Sequence, residues 1–288
     1  MEISIITASY NCQDTIKETL DSVLSQTYKN WRLIVFDDGS KDSSLDIIRR
    51  YAQSDGRIQL LRHPGGANKG LPQTLQKALA CVKTEYAAFL ECDDILDKNY
   101  LKEKVDYIRN NPGAEIIYSK VKCFGDKNRV KKLTLFNKAA ELYVKMLNPF
   151  SNKYNLNFPL LSFNPVPTFS CVMLKTALAE EYGFDSPYPP QADYWLWARL
   201  SFKHKFHFIG KDLTLWRLTQ NSYTMKSLGN AAGEKRLRDA IKDLYIKNNP
   251  ASYLFKAGLS KLLSFAFKLI SFIFKPVAKI ILGIKKQA

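Results

Sequence analysis

The sequence lacks most of the features that betray a chain by composition. Its five cysteines, Cys12, Cys81, Cys92, Cys123 and Cys171, are odd in number and scattered, with no CxxC pair. That spacing argues against a zinc framework and reads as reduced thiols in a cytosolic protein. The three histidines, His63, His204 and His207, show no metal-ligand spacing and are expected in surface or packing roles. The start, Met1-Glu2-Ile3-Ser4-Ile5-Ile6, has no basic segment ahead of a long apolar run, so it reads as a first strand and not as a signal peptide. Neither a P-loop nor a GxGxxG motif is present, which disfavours nucleotide hydrolysis and a dinucleotide cofactor. No internal repeat is visible. Acidic residues stop at Asp243, and the apolar stretches beyond it, such as 269–274, fall far short of the roughly 20 residues of a membrane span.

What is present is a folded-protein composition, 46% hydrophobic and 24% charged over 288 residues, enough for one large domain or somewhat more. The net charge of +16 points to an anionic partner, either nucleic acid or a membrane surface. Seven lysines lie between 251 and 288, so without that region the charge is 16 − 7 = +9.

Residues 1–120 alternate strand-like and helix-like segments, predicting an α/β sheet with mainly parallel strands flanked by helices. Strands are expected at 3–7, 32–36, 58–61, 86–90 and 114–118. Helices are expected where Ile16, Leu20 and Val23 share a face, around Leu45, Ile48 and Tyr51, through Leu71, Leu75 and Leu79, and over 100–109. From about 120 to 167 the periodicity weakens, and this segment is expected to be irregular. Further elements are a strand at 171–174, helices at 176–182 and 192–202, two short strands at 206–209 and 213–218, and a helix near 233–247.

The strand at 31–36 runs straight into Asp37-Asp38-Gly39-Ser40, and that at 86–90 into Glu91-Cys92-Asp93-Asp94. Ligands of open parallel sheets bind beyond the carboxyl ends of the strands, so two acidic strand ends imply a polar ligand with a cation. The plainer reading is that these acids only cap a turn and a helix. The glycine loop His63-Pro64-Gly65-Gly66-Ala67-Asn68-Lys69-Gly70 precedes a helix and offers backbone N–H groups to an anion. For a nucleoside diphosphate, Asp38 would accept from a base N–H, Tyr10 would stack on the base, and Asp93 would hold Mg²⁺ or Mn²⁺.

Three segments, 4–11 (Ser-Ile-Ile-Thr-Ala-Ser-Tyr-Asn), 22–28 and 35–43, resemble the opening of the family 2 glycosyltransferases of GT-A fold. Asn68-Lys69-Gly70-Leu71 resembles their NxGL loop, Glu91-Cys92-Asp93-Asp94 their DxDD motif, and 192–200 their EDYxLWxRL helix. The resemblance covers roughly 1–223. It implies that Ala8, Tyr10 and Asp38 border the base, with Asn68 and Gly70 in the donor loop. Asp93 is implied on the metal and diphosphate, Asp94 beside the sugar or metal, and Asp193 as the general base of an inverting displacement. Tyr194 or Trp195, next to that base, is the candidate for touching the acceptor, although Trp195, Trp197 and Trp216 read more simply as core. Arg217 either neutralises the diphosphate or forms a structural ion pair. Three positions depart from the family pattern: Glu91 replaces the first Asp of the motif, Ala192 the Glu before the base, and Thr219 the histidine of YRxHxxS.

The implied organisation is a glycosyltransferase domain over 1–223, divided into a nucleotide-sugar half (1–119) and an acceptor half (120–223), then a helical extension over 224–250. In the tail, 251–288, Lys261, Lys268 and Lys275 recur every seven residues, a spacing that drifts only about 20° per heptad on a helix. A basic stripe beside a wide apolar face predicts an amphipathic helix lying on an anionic membrane. The expected protein is cytoplasmic, peripheral on the inner face of the cell membrane. It would carry sugar from a UDP-sugar to a saccharide or lipid-linked acceptor for lipopolysaccharide, capsule or another surface polysaccharide. Alternatives are an inactive, membrane-bound relative, suggested by Ala192 and Thr219, and an electrostatic nucleic-acid binder, which lacks any recognisable module.

Overall fold

The computed structural model describes residues 1–219 and 230–248. The expected amphipathic tail over 251–288 therefore lies outside the described residues, as does most of the start of the helical extension. The N-terminal half alternates β1 (Ile3–Ser9), α1 (Ile16–Leu24), β2 (Trp31–Asp37), α2 (Ser44–Ser54), β3 (Ile58–Arg62), α3 (Leu71–Leu79) and β4 (Tyr86–Phe89). Then come β5 (Ile95–Leu96), α4 (Tyr100–Asn110), β6 (Ile116–Gly125), α5 (Lys127–Leu147) and β7 (Lys153–Tyr154). The series closes with β8 (Val172–Lys175), α6 (Thr176–Tyr182), α7 (Ala192–Leu200), β9 (Phe206–Leu218) and α8 (Ala231–Asn248).

The strands form one mixed sheet in the order β3-β2-β1-β4-β8-β6-β9-β5, with β7 added on β9. The expected parallel pairing holds for β3-β2-β1-β4 and for β6 with β9. The short strand β8 runs antiparallel to both β4 and β6 and joins the two blocks. Both faces are covered, so β1, β2 and β4 are mostly apolar, with small polar residues such as Ser4 and Thr7 buried among them. Along β1, Ile3 and Ile5 face α1, α2 and α4, whereas Ile6 faces the layer of α3, α6, α7 and α8. Gly70, at φ +84°, ends the glycine loop, and Pro72 in the first turn of α3 needs no intrahelical N–H partner.

The segment 120–167 is more ordered than its periodicity suggests. β6 continues to Gly125, and Asp126 caps the 21-residue α5 by accepting from the Arg129 N–H at 3.0 Å. The helical signal is blurred because α5 is apolar on both sides: Ala140 and Val144 are buried, but Leu135, Leu142 and Met146 face outward. The two strands expected at 206–209 and 213–218 are one bent strand. The register against β6 shifts between Ser119 and Val121, opposite the exposed Gly210-Lys211-Asp212, and this bulge mimics a turn in the sequence.

Lys104 of α4 is fully buried beneath the sheet, its ammonium donating to Cys171 O at 2.8 Å and Ile117 O at 3.2 Å. Burial pulls its pKa down from 10.5 to about 7. Between about pH 7 and 10.5 the unfolded chain thus binds a proton that the folded chain does not, so this group makes stability rise with pH across that window. Below about 7 both states are protonated and the contribution is flat. Urea unfolding of Lys104→Met over the same range should lose that rise; an unchanged difference between pH 7 and 10 would refute the shift.

Candidate active site

Because β1 pairs in parallel with both β2 and β4, the carboxyl ends of the three strands lie side by side. At the end of β2 the Asp38 N–H donates to Ser9 O at 2.8 Å, bringing it next to Tyr10. The Asp38 carboxylate accepts the backbone N–H groups of Lys69 at 2.7 Å and Gly70 at 3.0 Å, and His63 Nε2 lies 3.4 Å away. Asp38 thus anchors the glycine loop to the strand end. Gly39 is required there: its φ is +77°, and a Cβ would stand 2.6 Å from Gly66 O. Tyr10 and Asn68 are exposed, while Ala8 is partly buried against the core. The structure therefore gathers Ala8, Tyr10, Asp38, Asn68 and Gly70 at one strand edge.

The second acidic end follows β4. Glu91 accepts from the Thr168 hydroxyl, and its N–H donates to Ser170 Oγ at 2.9 Å. Burial first, then the Asp93 charge, push the Glu91 carboxyl up to about 8. Asp94 is fully buried; it accepts the Arg217 N–H at 2.9 Å, with the Thr168 hydroxyl 3.4 Å away. Burial, with Asp93 and Glu91 adding repulsion, raises it well above the usual carboxylate range. The Asp94 carboxylate, expected beside the sugar or metal, is thus packed against Arg217 and Thr168. Asp93 is partly exposed, and burial raises it while Arg217 opposes the rise. Arg217 donates from Nε to Asp93 O at 2.7 Å and from Nη2 to Glu18 Oε2 at 2.5 Å, over the Phe124 ring. Arg217 is thus ion-paired with Glu18 at the edge of the acidic strand end.

Asp193 sits in the first turn of α7, where the helix end favours a negative charge. Asn164 Nδ2 donates to its Oδ2 at 3.1 Å. Burial pushes its pKa up to about 6, opposed by the Tyr194 N–H and Asn164. Asn164 and Thr168, on one short segment, hydrogen-bond Asp193 and Glu91 respectively, so the two acidic elements are tied together. Tyr194, expected at the acceptor, is buried instead, its hydroxyl donating to Leu160 O at 2.7 Å. Trp195 is partly buried beside Arg199, and Trp197 is core. His63 and His207 are buried packing residues and His204 pairs with Glu115 at 2.7 Å. Thr168, Ser170, Asn164 and Glu18 escape sequence reasoning, because hydrogen bonds spanning 29 to 199 residues leave no local pattern.

Among the described residues no three His, Cys, Asp or Glu side chains are grouped to hold a metal alone. Asp93, a partly exposed carboxylate in a cluster of carboxyls whose mutual repulsion a cation would relieve, fits a hard ion that takes its remaining ligands from phosphate. A separate cavity of about 340 Å³ lies between α5 and the sheet, lined by Tyr118, Lys120, Asn137, Glu141, Tyr154 and Phe208 among others.

The family model of Glycosyl transferase family 2 matches residues 4–183. The UDP-Glc:alpha-D-GlcNAc-diphosphoundecaprenol beta-1,3-glucosyltransferase WfgD of Escherichia coli is 28% identical over 85% of this chain and 87% of its own length. An uncharacterized glycosyltransferase of Haemophilus influenzae is 26% identical over 69% of the chain, and the putative teichuronic acid biosynthesis glycosyltransferase TuaG of Bacillus subtilis is 36% identical over 37%. The matches span only 60% and 41% of those two relatives' lengths. Among solved structures, TarS 1–349 of S. aureus in complex with UDP-GlcNAc superposes with a TM-score of 0.64 at 17% identity, over 86% of this chain and 66% of that one. The mannosyltransferase PcManGT of Pyrobaculum calidifontis, in complex with GDP-Man and Mn²⁺, gives 0.55 at 15% identity over 96% and 79%. No described helix is long and apolar enough to cross a membrane. With its family match running over most of the sheet and both acidic strand ends, and with a fold shared with these GT-A neighbours, the chain belongs to glycosyl transferase family 2.

Proposed function

We propose that this protein transfers a sugar from a UDP-sugar to a hydroxyl of a saccharide acceptor, inverting the anomeric centre. The observation that carries this reading is that Asp193, a carboxylate raised to about 6, is tied through the 164–168 segment to the Glu91–Asp94 strand end. A base ionised at neutral pH yet drawn towards its proton is suited to removing one from an attacking hydroxyl. Ala8 and Tyr10 border the base of the donor, and Asp38 holds the Asn68–Gly70 loop against it. Mn²⁺ or Mg²⁺ held by Asp93 and the donor's diphosphate would stabilise the departing charge. Arg217 fixes the Asp93 backbone, Asp94 and Thr168 brace the turn behind it, and Trp195 is the remaining candidate for acceptor contact.

A lipid-linked acceptor in surface-polysaccharide synthesis is supported by the diphosphoundecaprenol substrate in the name of the E. coli relative, and the basic apolar sequence of 251–288 supports a place on the inner face of an anionic membrane. Thermal unfolding against a set of nucleotide-sugars, with and without Mn²⁺, tests the reading. A UDP-sugar at 100 times its Kd should add about 2.7 kcal/mol, a shift of several degrees, in the metal's presence, and slow donor hydrolysis should follow. Absence of both would favour the inactive relative.

A further inference from the structure

α5 carries an apolar stripe that nothing among the described residues covers. Leu135, Leu142 and Met146 are 65%, 62% and 71% exposed, and beyond the helix end Phe150 is 98% exposed. Steps of seven and four residues keep the three helical side chains on one side of the helix. Single exposed apolar residues are ordinary, but a contiguous set marks an interaction surface. Exposed Lys131 and Lys138 flank this stripe on one side and Lys132 on the other. The helix sequence holds Lys127, Arg129, Lys131, Lys132, Lys138 and Lys145 against a single acid, Glu141. Glu141 is itself engaged by Lys120 at 3.0 Å and Lys145 at 2.6 Å, so it does not offset the lysines around the stripe.

We propose that this face of α5 docks on an anionic lipid bilayer, with Leu135, Leu142, Met146 and Phe150 entering the acyl boundary and the lysines meeting headgroup phosphates. Charge selects this occupant. A two-fold contact with a second copy would press the same lysine border against itself, whereas an anionic bilayer supplies both an apolar interior and a negative surface. The surface lies in the folded domain and is distinct from the tail; it rests on the proposed function only for what docking achieves. One flank of α5 grips Phe163 between half-buried Phe136 and Tyr143, ring centroids 5.8 and 5.6 Å away, and the next residue, Asn164, holds Asp193. A docked α5 therefore sets the catalytic carboxylate one packing layer behind the membrane contact, where a lipid-linked hydroxyl would arrive.

The test uses the full chain and sedimentation with phosphatidylcholine vesicles with and without phosphatidylglycerol. Leu135→Ser, Leu142→Ser and Met146→Ser combined should lower partition onto the anionic vesicles by about tenfold or more, and Lys131→Gln with Lys132→Gln and Lys138→Gln should reduce its dependence on anionic lipid and on salt. Phe150→Trp should gain emission that bromine-labelled acyl chains quench beyond the wild-type level. Wild-type partition by the Ser variant, or no added quenching in Phe150→Trp, would overturn the proposal, as would a wild-type dimer that the Ser variant dissociates. Donor hydrolysis without vesicles should be unchanged in the Ser variant, which reports that it is folded. Its absence from the wild type would count against the proposed function and leave the vesicle result standing.

Discussion

Replacing Asp193 by Asn should lower transfer by about 10²–10⁴-fold, the usual range for loss of a general base, with donor binding retained. The amide keeps the shape and the place at the start of α7 but cannot accept the proton. In the wild type, kcat/KM should rise with pH to a plateau above about 6, because the reactive form is the carboxylate and its fraction falls about tenfold per unit below that pKa. Asn164→Leu removes a donor that favours the ionised form, so the acid limb should move to higher pH and activity at pH 5 should fall more than at pH 8. Asp193→Asn turning over near the wild-type rate, or an acid limb indifferent to Asn164→Leu, would remove Asp193 from the reaction.

The second large effect is expected at Asp93. Asp93→Ala takes away a partly exposed carboxylate of the second strand end, and with it the protein's proposed hold on the ion. Turnover should drop by about 10²-fold or more, corresponding to several kcal/mol of lost charge stabilisation. UDP binding measured by calorimetry should weaken mainly when Mn²⁺ or Mg²⁺ is present. Treating the wild type with EDTA should produce the same weakening, reversed by Mn²⁺. Equal UDP affinity with and without chelator would dismiss the ion and leave Asp93 as a wall residue. Asp94→Ala, by contrast, removes a buried acceptor of the Arg217 N–H and should show first as lost stability.

The strands of the N-terminal half are legible because burial on both faces makes each a mostly apolar run, and the ends of β2 and β4 are legible because Asp37-Asp38 and Glu91-Asp94 interrupt those runs abruptly. What sequence does not carry is the direction a side chain takes once the run has ended. Adjacent Asp93 and Asp94 read alike, yet one edges the cleft and the other is sealed under Arg217. Tyr194 and Trp195 divide in the same way, by rotation about a helix whose apolar residues nearly encircle it. Asn164 and Thr168 sit among prolines in an irregular stretch, and only tertiary contact gives them a role. α5 was hidden by its own outward leucines, so the feature that obscured the helix is also the one that marks its surface.

The turn at 168–171 limits how the cleft can move. It binds the Glu91 N–H and side chain, approaches Asp94, and receives the Thr214 hydroxyl from β9 at 3.0 Å on Ser170 O, immediately before β8 pairs with both sheet blocks. A hinge between the two halves would have to break two ladders and this knot together, so the acidic floor moves as one body. Admission and departure of a nucleotide then fall to the edges. The glycine loop is held to β2 by two hydrogen bonds on the Asp38 carboxylate, and lifting it costs far less than parting a sheet. Where product departure sets the pace of turnover, the lifetime of that carboxylate contact at the end of β2 would set the clock, apart from the base proposed on α7.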